Sequence, residues 1–560
     1  MVTRSNAAQQ RVVLARRLLA ASAEILRQHW LLPKPDREGQ SGDPADVLLA
    51  IAGRCVAGDE AAVAEAVRLL AASKPPLDLV ADAAAWNALL TSDLARLQPC
   101  DELLGDIVPV SAAPYPLFTG LLEHFPPRRS PLFDDVDILS CQHLLGSLLP
   151  QYQAIRDLLP GARFQEIIGK PYSGNPWAMH ALEEYGFPVN RRSVGLPNRD
   201  NRDDQGEPYR IGTYGHLHRK VVDDAVKRFF NLMPETRRLS RAPILVIDDG
   251  GALIDAVGRA AAKCGTTRPI VCIEQTQRGL HAAKPAKGYG LGGGFALVNV
   301  AQTLSKLVLE SKLIASSVLE NLESWLARLK VSESRAAWAS HLRIGLVGFG
   351  SVGESIAAAL KSLEVEPRLY DVNRNRLAAA KRQGYEVSLE LSELLEQSNV
   401  IVAATGGSWL NQNNAMLLRD GVVLVSASSG DAEFHGLPAW KSSQVPILDS
   451  SLRNAQFDTI HGEIRVRRSD DAELRILNGG FPVNFNGAID PIAPAQIQLT
   501  RALMLAGVLH AIGFEGGHHR PVAGETGLCY INDALDIYLY QAYEAAERAD
   551  VNARRAGATA

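Results

Sequence analysis

The stretch RIGLVGFGSVGESIAAAL, residues 343–360, constrains the fold more than any other part of the chain. It reads as a short apolar strand, a glycine loop and an amphipathic helix. Gly348, Gly350 and Gly353 fit the pattern G-x-G-x-x-G. The first glycine permits a tight turn, the second lets backbone approach a pyrophosphate, and the third lets the helix pack close to the strand. The unpaired N–H groups and the dipole at the helix start favour an anion at that point. A second strand, PRLYD, ends in Asp371, 23 residues after Gly348. A carboxylate there accepts hydrogen bonds from both ribose hydroxyls, which favours NAD over NADP, whereas Arg374 and Arg376 just beyond could hold a 2′-phosphate. A third strand, NVIVAATGG, ends in Thr405, Gly406 and Gly407, where the backbone could approach the second half of the dinucleotide. The expected cofactor is NAD; the competing reading is the same fold with nothing bound.

The surroundings repeat this strand–loop–helix texture. DILSCQHLLGSLLPQYQAI, ARFQEIIGKPYSGNPWAMHALEEYG, APILVIDDGGALIDAVGRAAAKCG and RPIVCIEQT alternate apolar strands with helices. Such alternation specifies a parallel sheet covered on both faces, whose ligands sit at the carboxyl ends of the strands. His143, Tyr172, Ser173, Asn175, Asp249 and Gln275 fall in those loops and are candidates to line one cleft. The run ALVNVAQTLSKLVLESKLIASSVLENLESWLARL reads as one long helical stretch, and the tail reads as helix, loop and helix. Residues 1–110 are Ala- and Leu-rich with helical spacing. The expected fold class is therefore α/β: a substrate-binding domain over 111–335, a Rossmann-like NAD domain over 336–488 inserted in it, a helical return and C-terminal tail over 489–560, and a helical N-terminal extension.

Composition narrows the class of function. The 560 residues carry 58 basic and 62 acidic side chains, a net charge of -4, which points to neither a nucleic-acid nor a membrane partner. Apolar runs break before the ~20 residues that a membrane span needs. The basic N-terminus is explained by helical spacing better than by a signal peptide, since Arg16 and Arg17 interrupt its apolar stretch. Six scattered cysteines without a CxxC pair point to reduced thiols, a cytoplasmic location and no zinc site. His518 and His519 lack a third ligand and read as loop surface.

Seven short motifs stand in the order found in S-adenosylhomocysteine hydrolases: YPLFTGLLEHF with SCQHL, IDDGGALID, IEQTQRG, VNVAQTLSK, VGFGSVG, SSGDAEF and GGFPVNFNGAI. The chain resembles that family over about residues 112–500. The resemblance implies a split substrate domain, tightly held NAD, and oxidation of a ribose-type hydroxyl of a nucleoside or thioether that triggers its cleavage, in one-carbon metabolism. It implies that Lys306 assists the oxidation, that Asp249 works near the reacting carbons, and that His143 serves as acid/base at the leaving group. Asn484 would meet the nicotinamide carboxamide and Thr276 its ribose. Gln275 replaces a glutamate that grips ribose hydroxyls. Glu310, Ser311, Ser429, Leu145, Ser147, Asp490 and Pro491 also depart from the family pattern. Those departures leave two further readings: a non-catalytic, hydrolase-like regulator that captures a protein partner through its N-terminal helices, and a simple dehydrogenase that releases NADH. A homo-oligomer is expected in each case.

Overall fold

Two sheets with their flanking helices organise the chain. The computed structural model describes residues 115–558 apart from 129, 175, 195–213, 283–288, 290, 292, 333, 438–440, 446–461, 487–489, 516–521 and 524. The N-terminal extension, Asn175, His518 and His519 lie outside the described residues.

The first sheet is seven-stranded and parallel, in the order β15-β6-β5-β4-β1-β2-β3. Its strands are β1 (Asp137–Gln142), β2 (Arg163–Gly169), β3 (Val189–Asn190), β4 (Ile244–Asp248), β5 (Ile270–Glu274), β6 (Phe295–Asn299) and β15 (Thr526–Tyr530). The central strands are buried along their whole length, as expected where helices cover both faces. One face carries α1 (Pro116–His124), α2 (Leu148–Leu158), α11 (Pro494–Ile512) and α12 (Asp533–Ala558). The same face carries α3 (Pro176–Glu184), packed beside α2 and β3; the other carries α4 (Tyr214–Leu232) and α5 (Ala252–Cys264), with α6 (Gln277–Ala282) after β5. Helix α11 is apolar on every side and 89% buried in its most hydrophobic window. It is long and apolar enough to cross a membrane, yet here it is the central core helix of this sheet.

The second sheet has the order β12-β13-β14-β11-β10-β7-β8-β9. Strands β7 (Ile344–Val347), β8 (Arg368–Tyr370), β9 (Glu386–Val387), β10 (Val400–Ala403) and β11 (Val423–Ser426) are parallel; β12 (Lys441–Val445), β13 (Glu463–Arg467) and β14 (Glu473–Ile476) form an antiparallel edge. Its helices include α7 (Ser311–Arg328), α8 (Ser351–Ser362), α9 (Arg374–Arg382) and α10 (Leu391–Gln397). After it, the chain returns to the first sheet, where β15 pairs with β6 and α11 lies on the core. The Rossmann-like domain is therefore inserted within a split α/β body.

Two elements differ from the sequence reading. ALVN, expected at the start of one long helix, belongs to strand β6, followed by a π-helical turn over Ser305–Glu310 and then α7. A short apolar run has no period that separates strand from buried helix, so burial between β5 and β15 decides it. TGLCY, in the tail read as helix–loop–helix, is the edge strand β15, whose exposed alternation carries a weak strand signal.

Candidate functional site

Each sheet has one point where strand order reverses, and ligands bind at such points because the loops diverge and leave a crevice. In the second sheet the reversal falls between β7 and β10. The glycine loop lies there. Gly348 has φ +99°, and a Cβ on it would stand 2.7 Å from the Ala404 carbonyl oxygen. A Cβ on Gly353 would stand 2.0 Å from the Gly348 oxygen, so helix α8 packs as closely as a glycine allows. At Gly350 the same atom meets nothing nearer than the Arg376 guanidinium at 3.8 Å, which leaves the cradle over the α8 N-terminus open.

Asp371, at the end of β8, is buried and accepts from Phe349 N (2.7 Å) and Asn373 N (2.7 Å). Its carboxylate is thereby fixed beside the glycine loop. Of the two following arginines, Arg374 turns away to Leu389 O (2.7 Å) and Glu390 (3.5 Å). Arg376 stays, with Nη1 3.9 Å from Asp371 Oδ2. Thr405 and Gly406 stand at the end of β10, but their N–H groups already donate to buried Glu433 (2.7 and 3.0 Å). Asn484 is buried beyond Val483, whose N–H bonds to Ser426 O at the end of β11.

In the first sheet the reversal falls between β1 and β4. His143 follows β1, and Asp249 follows β4. Lys170 follows β2 and Gln275 follows β5. All four converge. His143 Nε2 is 3.3 Å from Asp249 Oδ2; Lys170 Nζ bonds to Asp249 Oδ1, and the Gln275 amide donates to Oδ2. On the far side of the ring, His143 Nδ1 is 2.6 Å from Ser173 Oγ.

Burial pushes the Asp249 carboxyl up, but Lys170 and then His143 overrule it and hold the group well below the usual carboxylate range. Burial and then the Lys170 charge push the His143 imidazole down to about 4, against the pull of Asp249. Lys170 is raised above its ordinary value, because the Asp249 charge outweighs burial. At neutral pH the cluster is thus an ionised carboxylate, a protonated lysine and a neutral histidine. With Asp249 ionised, the imidazole proton belongs on Nε2, and Nδ1 accepts from the Ser173 hydroxyl.

An aromatic seam sets this cluster against the second sheet. Phe485 stacks on His143 at 4.5 Å between ring centroids, and Phe481 stacks on Tyr172 at 4.9 Å. Beside Asp249 lies a cavity of about 290 Å3 lined by Lys170, Asp249, Tyr214 and Arg278 from the first sheet's side and by Ser429 and Gly430 from the loop after β11.

The remaining candidates are bonded to other partners. Lys306 lies on the π-helical turn, with Nζ 2.6 Å from Glu310 Oε1 one turn along. Thr276 serves Glu274: its N–H and hydroxyl both donate to Glu274 Oε1 (2.7 and 2.6 Å). The groups that sequence reasoning missed are Lys170, Tyr214, His218 and Arg278. Lys170 had a usable signal, a lysine directly after a buried strand end. Tyr214 and His218 share a helix face at i, i+4 spacing, which alone does not distinguish a cavity wall from a core.

The D-isomer specific 2-hydroxyacid dehydrogenase, NAD binding domain, family matches residues 314–432. An uncharacterized protein of Mycobacterium tuberculosis is 28% identical over 398 residues, 71% of this chain and 67% of that protein. Among solved structures, the pyruvate reductase of Chlamydomonas reinhardtii is 13% identical with a TM-score of 0.26, covering 54% of this chain and 71% of that one. The D-lactate dehydrogenase of Escherichia coli is 17% identical with a TM-score of 0.24, covering 45% and 70%.

The chain therefore carries an NAD-binding domain, and NAD is its cofactor. The match overturns the resemblance to S-adenosylhomocysteine hydrolases, and with it nucleoside or thioether cleavage and a place in one-carbon metabolism. It gives no support to the non-catalytic scaffold either. The physical reason is that the motifs behind the resemblance are short and mostly mark strand ends, where any doubly wound sheet needs glycines and polar residues. The structure adds a second reason. Ser147 and Asp490, two of the positions that depart from the hydrolase pattern, are bonded to each other. Asp490 accepts from Ser147 N and Oγ (3.0 and 2.7 Å), and Arg501 donates to Ser147 Oγ (3.0 Å).

Proposed function

We propose that the chain is an NAD-dependent dehydrogenase that interconverts the hydroxyl and carbonyl forms of a small 2-hydroxy acid held between the two sheets. The observation that carries this reading is the cavity walled on one side by the Asp249–Lys170 cluster and on the other by the Ser429–Gly430 loop at the end of an NAD-domain strand. The family whose NAD-binding domain matches is named for 2-hydroxy acids, which supplies the substrate class.

Gly348, Gly350 and the α8 N-terminus would hold the pyrophosphate, and Asp371 the adenosine ribose. When bound, NAD supplies the acceptor for the hydrogen removed with its electron pair from the carbinol carbon. The protein handles the charge and the other proton. Lys170 keeps two N–H donors beyond the one on Asp249, so it can stabilise negative charge growing on the substrate oxygen. His143, lowered to about 4, is the neutral member of the cluster at neutral pH, and its Nδ1 is the nitrogen open to the substrate's proton as that proton leaves, because Asp249 is held ionised and Lys170 protonated. A proton arriving at Nδ1 by way of Ser173 Oγ makes an imidazolium facing Asp249 across the ring, the arrangement that orients and stabilises a histidine base. Phe481 and Phe485 exclude water from that side.

The test is absorbance at 340 nm with NAD and a panel of D- and L-2-hydroxy acids, and in reverse with NADH and 2-oxo acids. One stereoisomer series should give NADH, and Asp249→Asn should lower the rate by roughly 10²–10⁴-fold. A protein that binds NAD yet gives no NADH with any hydroxy acid would rule the reading out.

A further inference from the structure

We propose that Glu433 is a positioning residue for the nicotinamide half of NAD and that it works as a neutral acid, carrying a proton on Oε2. It rests on NAD binding alone, not on the dehydrogenase reading.

Glu433 sits on a one-turn 3-10 helix, Ala432–Phe434, after β11. It is fully buried, and its carboxyl reaches back under two strand ends. On the β10 side, Oε1 accepts from Thr405 N (2.7 Å) and Gly406 N (3.0 Å), and Oε2 stands 2.7 Å from Thr405 Oγ1. On the β11 side, the Ser428 hydroxyl donates to Oε1. Ser428 Oγ also accepts from Gly406 N at 3.0 Å, so the loop after β10 and the loop after β11 are joined through this carboxyl.

The loop that Glu433 holds faces the cofactor cradle. A Cβ on Gly348 would stand 3.0 Å from Thr405 N, which sets the loop directly against the glycine turn. Gly406 has φ +71°, and a Cβ on Gly406 or Gly407 would meet nothing within 4 Å. Bare backbone therefore faces open space. A dinucleotide crosses the switch point of a doubly wound sheet, one half on each side of it. Asp371 serves the adenosine half, and the Thr405–Gly407 loop is the floor for the other.

Donor and acceptor numbers fix where the proton sits. Thr405 Oγ1 stands 2.7 Å from Gly407 O as well as from Glu433 Oε2, and it accepts from Gly407 N at 3.0 Å. A threonine hydroxyl has one proton to give and two lone pairs. Were Glu433 ionised, Oε2 and Gly407 O would both be acceptors for that one proton. One of the two 2.7 Å oxygen pairs would then have no hydrogen between its members. With a proton on Oε2, the carboxyl donates to Thr405 Oγ1 and the threonine donates to Gly407 O. Oε1 stays the acceptor for Thr405 N, Gly406 N and Ser428 Oγ, and every contact is made.

The charge balance agrees. Among the described residues no lysine, arginine or histidine stands within ion-pair distance of Glu433. A buried carboxylate without a counter-ion takes up a proton rather than remain charged. Burial raises this carboxyl, and its hydrogen bonds to Ser428, Thr405 and Gly406 pull it back only in part.

The experiment pairs binding with infrared spectroscopy on the full-length protein. NAD and ADP are titrated separately into the natural protein and into Glu433→Gln, Glu433→Leu and Ser428→Ala. The Glu433→Gln amide keeps the pattern, an N–H toward Thr405 Oγ1 and a carbonyl oxygen for the other donors, so NAD affinity should stay within about threefold. Glu433→Leu should weaken NAD about tenfold or more, and ADP, which lacks the nicotinamide half, by less than about twofold. ADP affinity also reports folding. If Glu433→Leu does not fold, Ser428→Ala, which cuts one tie, should weaken NAD about threefold with ADP unchanged. The infrared difference between the natural protein and Glu433→Gln should show the loss of a carboxylic acid carbonyl band. Loss of carboxylate bands instead, NAD binding about tenfold weaker in Glu433→Gln, or unchanged NAD affinity in Glu433→Leu would each overturn the proposal. So would variants that weaken ADP as much as NAD. None of these readouts involves turnover, so they stand apart from NADH formation with any hydroxy acid.

Discussion

Replacing Lys170 by methionine tests the electrostatics of the first switch point. The Lys170 and Asp249 side chains are only 5% and 3% exposed, so each depends on the other for compensation. Removing one member of such a pair leaves an uncompensated buried charge and costs about 3–5 kcal/mol. At about 2–4 °C per kcal/mol for a domain of this size, the unfolding transition of the first sheet should fall by about 6–20 °C in calorimetry. The pH dependence carries the sharper signature. In the natural protein the lowered carboxyl contributes stability above its unfolded value of about 4, lost as pH falls toward its folded value. The raised lysine contributes below its unfolded value of about 10, lost as pH rises through its folded value. Between those limits the pair contributes in full. Without Lys170, burial dominates and raises the Asp249 carboxyl. The variant then loses stability as pH climbs from about 4, and its deficit is largest near neutrality. Adding Asp249→Leu should recover part of the loss, so that the double variant falls short of the sum of the singles. A Lys170→Met protein within about 1 kcal/mol of the natural one, or a deficit flat between pH 4 and 7, would refute the argument.

Three other outcomes follow from the same structure. Asp371→Ser should weaken NAD by roughly tenfold to a hundredfold and improve NADP relative to it, because Arg376 stays beside the ribose site while the carboxylate is gone; paired fluorescence titrations with the two cofactors check this. Gly353→Ala places a Cβ 2.0 Å from the Gly348 carbonyl oxygen, so the glycine loop must shift. The expected cost of about 1–3 kcal/mol should appear as a lower transition for the second sheet and weaker NAD, with the first sheet's transition unmoved in calorimetry. Burial and then the Asp248 charge push the Glu274 carboxyl well above its usual range, which favours its neutral form in the fold. The natural protein should therefore lose stability as pH rises from about 4.3 toward its folded value, and Glu274→Gln should flatten that slope in melting curves from pH 5 to 8. Asp248, raised to about 6, keeps a smaller slope of the same sign.

The parts of the fold legible in the sequence are those whose signal is local. A glycine loop between strand and helix, followed by an acid at the next strand end, specifies the NAD half of the site almost unaided. Alternating strands and helices likewise place His143, Ser173, Asp249 and Gln275 on loops at one end of a parallel sheet, and the structure brings these four together. Lys306 looks similar in sequence, but its turn points it along its own helix to Glu310. Strand β6 was hidden because a five-residue apolar run has no period of its own, and β15 because an edge strand lacks a buried face. Arg278 and Tyr214 come from different helices and meet only once α4 and α6 have packed, so no spacing in the chain relates them. The family-level reading failed for a different reason. Short motifs at strand ends report the architecture they serve, and the same architecture serves many chemistries.

The proposed reaction is net, stereospecific oxidation with release of reduced cofactor. The direct measurement uses NAD and a 2-hydroxy acid deuterated at C2, with mass analysis of the nicotinamide cofactor found in solution. Free NADH carrying one deuterium per 2-oxo acid formed, for one stereoisomer only, is the expected result. Deuterium that stays with the organic substrate, with cofactor retained on the protein and no net NADH, would contradict it.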